Sequence, residues 1–301
     1  MWLASCEDSR LSTAQQARAC LWMPHLMLEA LSGADLLVLV AALLAAGLFT
    51  GFWAGLFGVG GGGILVPVLY EVFGALGVDQ GVRMQVSVGT SMAIIIPTTL
   101  RTFTAHRARG MVDMAVVKSL ALPSMLGVVI GILTARYFGG AFVRLFWSVF
   151  ASFMAIKLLI GQRDWRLGDH IPGQPGIGLF GIAVGFISAI MSIAGGLYVT
   201  MMMMLYGRPI HPSIATGTGV GPFISVTGML GYIWAGWGVP GTPPFTIGFV
   251  NIAGAAIVAA TSVLAAPYGI KAAYRLKPRH LEIGFGLFMM SAAARFLVSL
   301  W

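Results

Sequence analysis

The sequence predicts an all-α polytopic membrane protein built from two inverted-topology repeats, and three observations lead there. Of 301 residues, 58% are hydrophobic and only 9% charged, too little charge to keep a folded surface in water. Several stretches, among them 36–57, 116–135 and 281–294, approach the roughly 20 apolar residues that cross about 30 Å of hydrocarbon. They are continuous and rich in Gly, Ala, Leu and Met, without the alternation of a membrane barrel. Finally, the second half of the chain repeats the first. After residue 35 no loop exceeds roughly fifteen residues, which leaves no room for a water-soluble domain.

The repeat is read from blocks in the same order. Gly51 to Gly62 aligns with Gly185 to Gly196 at an offset of 134, and Val88-Gly89-Thr90 with Thr216-Gly217-Thr218 at 128. Gly110-Met111-Val112-Asp113 aligns with Gly248-Phe249-Val250-Asn251, and Gly131-Ile132 with Gly269-Ile270, both at 138. Each half reads as a Gly-broken apolar pair followed by three spans, in the first half near 86–100, 112–135 and 143–160. The expected organisation is a peripheral segment at 1–35, repeat 1 at 36–161, a cytoplasmic linker at 162–176 and repeat 2 at 177–301.

In the peripheral segment Cys6 and Cys20 are the only cysteines, and no CxxC or Cys/His cluster occurs, so zinc and redox chemistry are unsupported. A disulfide between them requires an oxidising compartment. The basic start and small-residue cleavage site of a signal peptide are missing, and Met23 or Met27 would serve equally as a start. The segment carries a net −2, which leaves 16 basic and 6 acidic side chains in the membrane part. That excess lies mostly in loops, as the positive-inside rule requires, and no interleaving of bases with aromatics suggests nucleic acid.

Orientation follows from the loops. Arg101, His106, Arg107 and Arg109 cluster in one loop, whereas its repeat mate at 235–244 is uncharged, so the two face opposite sides and the halves are inverted. Lys271, Arg275, Lys277 and Arg279 mark another cytoplasmic loop, whose mate holds Arg136 and Arg144 outside, against the rule. The broken pair decides between six and ten crossings. From Ile177 to Tyr206 the 30 residues span about 45 Å, short of the roughly 60 Å two crossings need, which favours half-length helices meeting at the glycines.

The most information-dense stretch is Gly58-Val59-Gly60-Gly61-Gly62-Gly63-Ile64-Leu65-Val66-Pro67. It contains GxGxxG but lacks the strand and later acidic residue of a dinucleotide site. The GxxxG spacing of Gly47, Gly51 and Gly55, and of Gly181 and Gly185, reads as helix packing. Four consecutive glycines read differently, since each weakens helix by about 1 kcal/mol relative to Ala, and an unwound backbone at membrane depth survives only buried in protein or lining a cavity. There it exposes N–H groups and a helix N-terminus to an anion. Interrupted segments at matching positions of two halves point to a transporter site near the midplane. The candidate substrate-binding residues are therefore Gly60, Gly61, Gly62, Gly63, Gly195 and Gly196, with the hydroxyls of Thr90, Ser91 and Thr218 beside them. A hydroxyl bonded back to its own helix is an equal reading for those three.

The GVGGGGILVP run, Val88 to Ser91 (VGTS), His106 to Asp113 (HRARGMVD), and the second-half AGG and GFVN together resemble the sulfite exporter TauE/SafE family, also called the sulfonate uptake permease family, over residues 36–301. The resemblance implies transport of sulfite, organosulfonates such as sulfoacetate, or related sulfur-containing anions across a bacterial inner membrane, without a cofactor. In the second half Ala194-Gly195-Gly196-Leu197 replaces a full glycine run.

The remaining residues agree with an anion. Only Asp113 and Glu282 approach the spans, both near their ends, so no deep carboxylate relay is apparent. Arg83 and His211, matched at 128, precede the GT-bearing spans and suit electrostatic capture at a mouth, with loop solvation as the plainer reading. Lys157 and Arg295, matched at 138, suit snorkelling. Met201 to Met204 point around a helix and suit packing rather than a metal. Trp234, Trp237 and Trp301 suit interfacial anchoring, and Asn251 a helix cap. The function read here is export of a small sulfur-containing anion by alternating access in the lipid bilayer, with an uptake permease, or a membrane-embedded enzyme or assembly subunit, as alternatives.

Overall fold

The computed structural model describes residues 33–57, 62–160, 168, 171, 173–273 and 278–299. The chain forms two compact units, Met1–Ala42 and Leu43–Trp301, and of the first unit residues 33–42 are described, as helix. The helices are α1 (Gly33–Phe57), α2 (Gly62–Ala75), α3 (Gln80–Ala108), α4 (Met114–Ile160), α5 (Gly176–Met191), α6 (Gly196–Leu205), α7 (Ile210–Ala235), α8 (Ile252–Ala273) and α9 (Pro278–Val298). Two short strands, β1 (Thr246–Ile247) and β2 (Val250–Asn251), form an antiparallel hairpin before α8, an element absent from the all-α expectation.

Among the described residues, α4 and the Ile252–Gly269 part of α8 are long and apolar enough to cross a membrane. The apolar stretch 281–294 lies in α9, which bears Arg279, Glu282 and Arg295 toward its ends. Leu122, Leu126, Val129, Ile130 and Leu133 are all exposed at helical spacing on α4, as are Leu145, Val149, Phe153 and Ile156 further along. Apolar stripes of this length facing outward suit a lipid surface and not water.

A straight helix of 47 residues would run about 70 Å. The backbone of α4 instead breaks at Gly139 (φ 73°, ψ −176°), a conformation glycine alone adopts readily. Both arms then reach the same residue of α5, Gly131 packing on the Phe186 backbone and Phe146 meeting the Phe186 ring at 5.7 Å. The expected loop between spans at Arg136 to Arg144 is thus a one-residue corner. A second correction concerns α3, which continues as helix through Arg101, His106 and Arg107, with Arg109 as its C-cap. Helical backbone satisfies its own hydrogen bonds, so the charged end persists as helix beyond the apolar span.

Glycines set the helix contacts. A methyl group built on Gly47 would lie 1.8 Å from Thr261 Oγ1, and one on Gly51 2.3 Å from the Ser262 carbonyl oxygen, so α1 and α8 touch backbone to backbone. Gly181 meets Pro123, and Gly185 would place its methyl 2.0 Å from the Ser124 carbonyl oxygen. These four positions serve close packing, as their spacing suggested.

The second broken pair is two half-length helices, α5 of 16 residues and α6 of 10, separated at Ser192 to Gly195. The first pair departs from that expectation, because α1 has 25 residues and only α2, with 14, is short. The two loops compared for charge lie far apart along α7. Thr216, early in α7, accepts a hydrogen bond from the Asp113 N–H at 2.9 Å. The uncharged loop follows Ala235, 19 residues or about 29 Å further along the helix. Near that end Arg136 donates to the Trp234 carbonyl and stands 4.6 Å from its ring, which fits the anchoring expected of Trp234.

Candidate functional site at the helix breaks

The chain leaves α5 through Ser192 in the left-handed region (φ 54°, ψ 35°), passes Ile193 and Ala194, and turns again at Gly195 (φ 73°) to start α6. A serine at positive φ is held at an energetic cost, so the surroundings must hold it. The holding groups belong to α3. Ser91 and Ser192 share a hydroxyl–hydroxyl hydrogen bond, and both hydroxyls also reach the Val88 carbonyl, Ser91 at 2.9 Å and Ser192 at 3.4 Å. On the α5 side, the Tyr232 hydroxyl of α7 donates to the Ala189 carbonyl at 3.0 Å, satisfying one acceptor of the helix end.

The start of α2 meets the α5–α6 break at Gly62. A methyl group on this first residue of α2 would fall 1.5 Å from the Ser192 carbonyl oxygen, so only a bare Cα fits. The next residue is looser, since a methyl on Gly63 would lie 3.6 Å from the nearest atom, Cδ1 of Ile193. Gly60 and Gly61 lie outside the described residues. Gly195 has Ile224 and Val184 against its open side, while Gly196 and Gly217 pack on each other's backbone.

Helix α6 opens without a side-chain cap, and its first helical bond runs from Val199 N–H to the Gly195 carbonyl. The N–H groups of Gly196, Leu197 and Tyr198 therefore have no acceptor within the helix, and the positive end of its dipole points at the break. Beside it lies Ser188, fully buried, whose hydroxyl has no hydrogen-bond partner among the described residues and sits 3.5 Å from where a Gly195 methyl would be. Thr99 and Ser225 approach each other at 3.4 Å, and Gly221 brings this pair against Ala194 of the break. An uncapped helix start with hydroxyls around it can hold an anion without any charged side chain.

The predicted hydroxyls divide. Ser91 joins the break. Thr90, its neighbour, points elsewhere and accepts from the buried Asn251 N–H at 3.0 Å. Thr218 is half-buried and bonds back to the Ala215 carbonyl at 2.7 Å. Asn251 caps α8 by accepting from Gly254 N–H at 2.6 Å, and Asp113 caps α4 by accepting from Ala115 N–H at 3.0 Å. Replacing Thr90 by Val leaves the buried Asn251 N–H unpaired, which costs about 1 to 3 kcal/mol. The expected result is a lower melting temperature with anion affinity retained in the folded fraction. Affinity lost without loss of stability would return Thr90 to the binding site.

Arg83 is committed to structure, donating to the Val78 carbonyl through Nε at 3.1 Å and Nη2 at 2.7 Å. His211 is exposed in the first turn of α7. In the basic end of α3, partial burial and the neighbouring Arg109 charge hold His106 below the usual imidazole range, so positive charge at neutral pH comes from its arginines. Met201 and Met202 line an apolar cavity of about 330 Å³ with Phe180 and Tyr198. Sequence reasoning missed Ser188, Ser192, Thr99 and Ser225. A signal for the first two was present, since both hydroxyls fall in the aligned block Gly185 to Gly196, but Ser192 lies beyond the end of α5 and does not share a helix face with Ser188.

The sequence profile of the family described as sulfite exporter TauE/SafE matches residues 43–296. The chain belongs to this family. A probable membrane transporter protein of Haemophilus influenzae is 28% identical over 251 residues, covering 83% of this chain and 95% of that protein. A probable membrane transporter protein of Methanocaldococcus jannaschii is 25% identical over 264 residues, 85% of this chain and 97% of its own length. YunE of Bacillus subtilis, also named a probable membrane transporter protein, is 25% identical over 213 residues, 64% of this chain and 78% of its length. No solved structure matches the chain. As a TauE/SafE member with outward apolar stripes, the protein is a membrane transporter.

Proposed function

We propose that this transporter is an inverted-repeat carrier of the bacterial inner membrane that exports a small sulfur-containing anion, sulfite or an organosulfonate, by alternating access. The observation that carries the reading is the uncapped start of α6 at the Ser192 to Gly195 break, with the unpartnered Ser188 hydroxyl beside it and Gly62 pressed against it. These groups supply donors at membrane depth, where an anion has lost its water. Backbone amides and hydroxyls suit a singly or doubly charged oxyanion, which accepts several hydrogen bonds at once. The separation of the Asp113 and 236–245 loops along α7 supports opposite sides for repeat mates. Direction follows from energetics: with the cytoplasm negative, each unit of anionic charge leaving gains about 2.3 kcal/mol per 100 mV, so export needs no coupling ion.

The test is purified protein in liposomes loaded with sulfite or sulfoacetate. An inside-negative potential is expected to drive efflux, and Ser188→Ala to weaken binding by about 1.5 to 3 kcal/mol, tenfold or more in affinity. Liposomes that release neither anion would overturn the substrate assignment.

A further inference from the structure

Arg144, on the second arm of α4, is only 7% exposed. A guanidinium keeps its proton under all ordinary conditions, so its charge is buried with it. Nη1 donates to the Tyr70 hydroxyl at 3.2 Å and to the Ser299 carbonyl at 3.1 Å, both neutral acceptors, while the Nε–H is buried with no partner among the described residues. Three positions on, Trp147 is fully buried and its Nε1–H likewise has no partner among the described residues. Residues at this spacing share a helix face. The same cluster closes through rings: Tyr70 meets Phe296 edge-on at 4.9 Å, and Phe296 meets Trp147 at 4.8 Å. A second guanidinium, Arg83, stands 5.3 Å from the Tyr70 ring centre. Among the described residues neither arginine forms an ion pair; the pairs there are Arg279 with Glu282 and Arg295 with Glu71. Among the described residues, two cations thus flank one tyrosine without an ion-paired carboxylate, and two buried N–H donors beside them lack acceptors.

We propose that Arg144 and Trp147 form an anion-recognition site distinct from the helix breaks, taking one small inorganic oxyanion of the transported class on the Arg144 Nε–H and Trp147 Nε1–H. Along α2, Tyr70 of this cluster lies eight residues from Gly62, about 12 Å. The anion's identity rests on the transport reading above; the existence of the site does not. A water shared with the buried, unpartnered Gln85 Oε1 is the rival occupant.

The experiment is fluorine NMR of the full chain labelled with 5-fluorotryptophan, the Trp147 signal being assigned with Trp147→Phe. Sulfite, chloride and gluconate are titrated at constant ionic strength. Sulfite is expected to move the Trp147 signal saturably at lower concentration than chloride, with gluconate inert. Arg144→Gln should raise the half-saturation concentration tenfold or more. If that variant does not fold, Arg144→Lys, which keeps the charge but lacks the Nε donor, should still weaken the response. Ser188→Ala should leave it unchanged. A signal that never moves, that moves equally with gluconate, or that prefers chloride would overturn the proposal. Liposomes that transport sulfite while Trp147 stays silent would sink this site alone, and a saturable Trp147 response without transport would sink the transport reading alone.

Discussion

Gly62→Ala should abolish transport, while Gly63→Ala, one residue on, should leave most of it. The added methyl at Gly62 falls 1.5 Å from a backbone oxygen, that of Ser192, which cannot rotate out of the way as a side chain would. Either α2 or the α5–α6 break must shift, and overpacking against backbone costs about 1 to 3 kcal/mol or more. The shift falls on the segment that presents the α6 N–H groups, so a displacement of an ångström misplaces the proposed donors. At Gly63 the same methyl makes ordinary contact, 3.6 Å from Ile193. Transport per folded molecule, measured in liposomes beside melting temperature, checks the contrast. Equal transport by both variants would mean that the contact between α2 and the α5–α6 break is not needed for the cycle.

Reporter fusions should give an all-or-none result: cytoplasmic after Ala108 and periplasmic after Gly241. The first site ends the basic last turns of α3, which carry Arg101 and Arg107, and the second lies in the uncharged loop beyond Ala235. Positive charge near a span end retains it in the cytoplasm. Independently, α7 puts about 29 Å between Thr216, which touches Asp113 beyond the first site, and the start of the second loop. That distance matches the hydrocarbon thickness. Both reporters on one side would exclude the inverted arrangement and with it the pairing of the breaks as repeat mates.

The helical class was legible because burial in lipid leaves a compositional mark, and the short α5–α6 pair was legible because 30 residues cannot span twice. The corner at Gly139 was not, since Arg136 and Arg144 read as loop charges while one of them is buried and the other lies along a tryptophan ring. Charge in a sequence reports residue type, not whether a side chain has been drawn inside. The site was half legible. Gly195 marks the helix break, while Gly62 and Gly63 of the four-glycine run are helical in α2; the choice between Thr90 and Ser91 depends on a rotation of about 100° per residue around α3. That rotation turns one hydroxyl to Asn251 and the other to Ser192. Thr218 bonds back to the Ala215 carbonyl of its own helix, although its backbone lies beside Gly196 at the start of α6.

Two threonines clasp across the halves. Thr90 in the first half holds the Asn251 N–H of the second, and Thr216 in the second holds the Asp113 N–H of the first. With Gly62 seated on Ser192, each half leaves polar backbone uncovered until the other arrives. For a chain made from its N-terminus, the first half must then wait in the bilayer as an unfinished object, its uncovered groups exposed to lipid or held by insertion machinery. A chain cut in the segment between Ile160 and Gly176 should therefore work when both pieces are made together and be degraded when either is made alone.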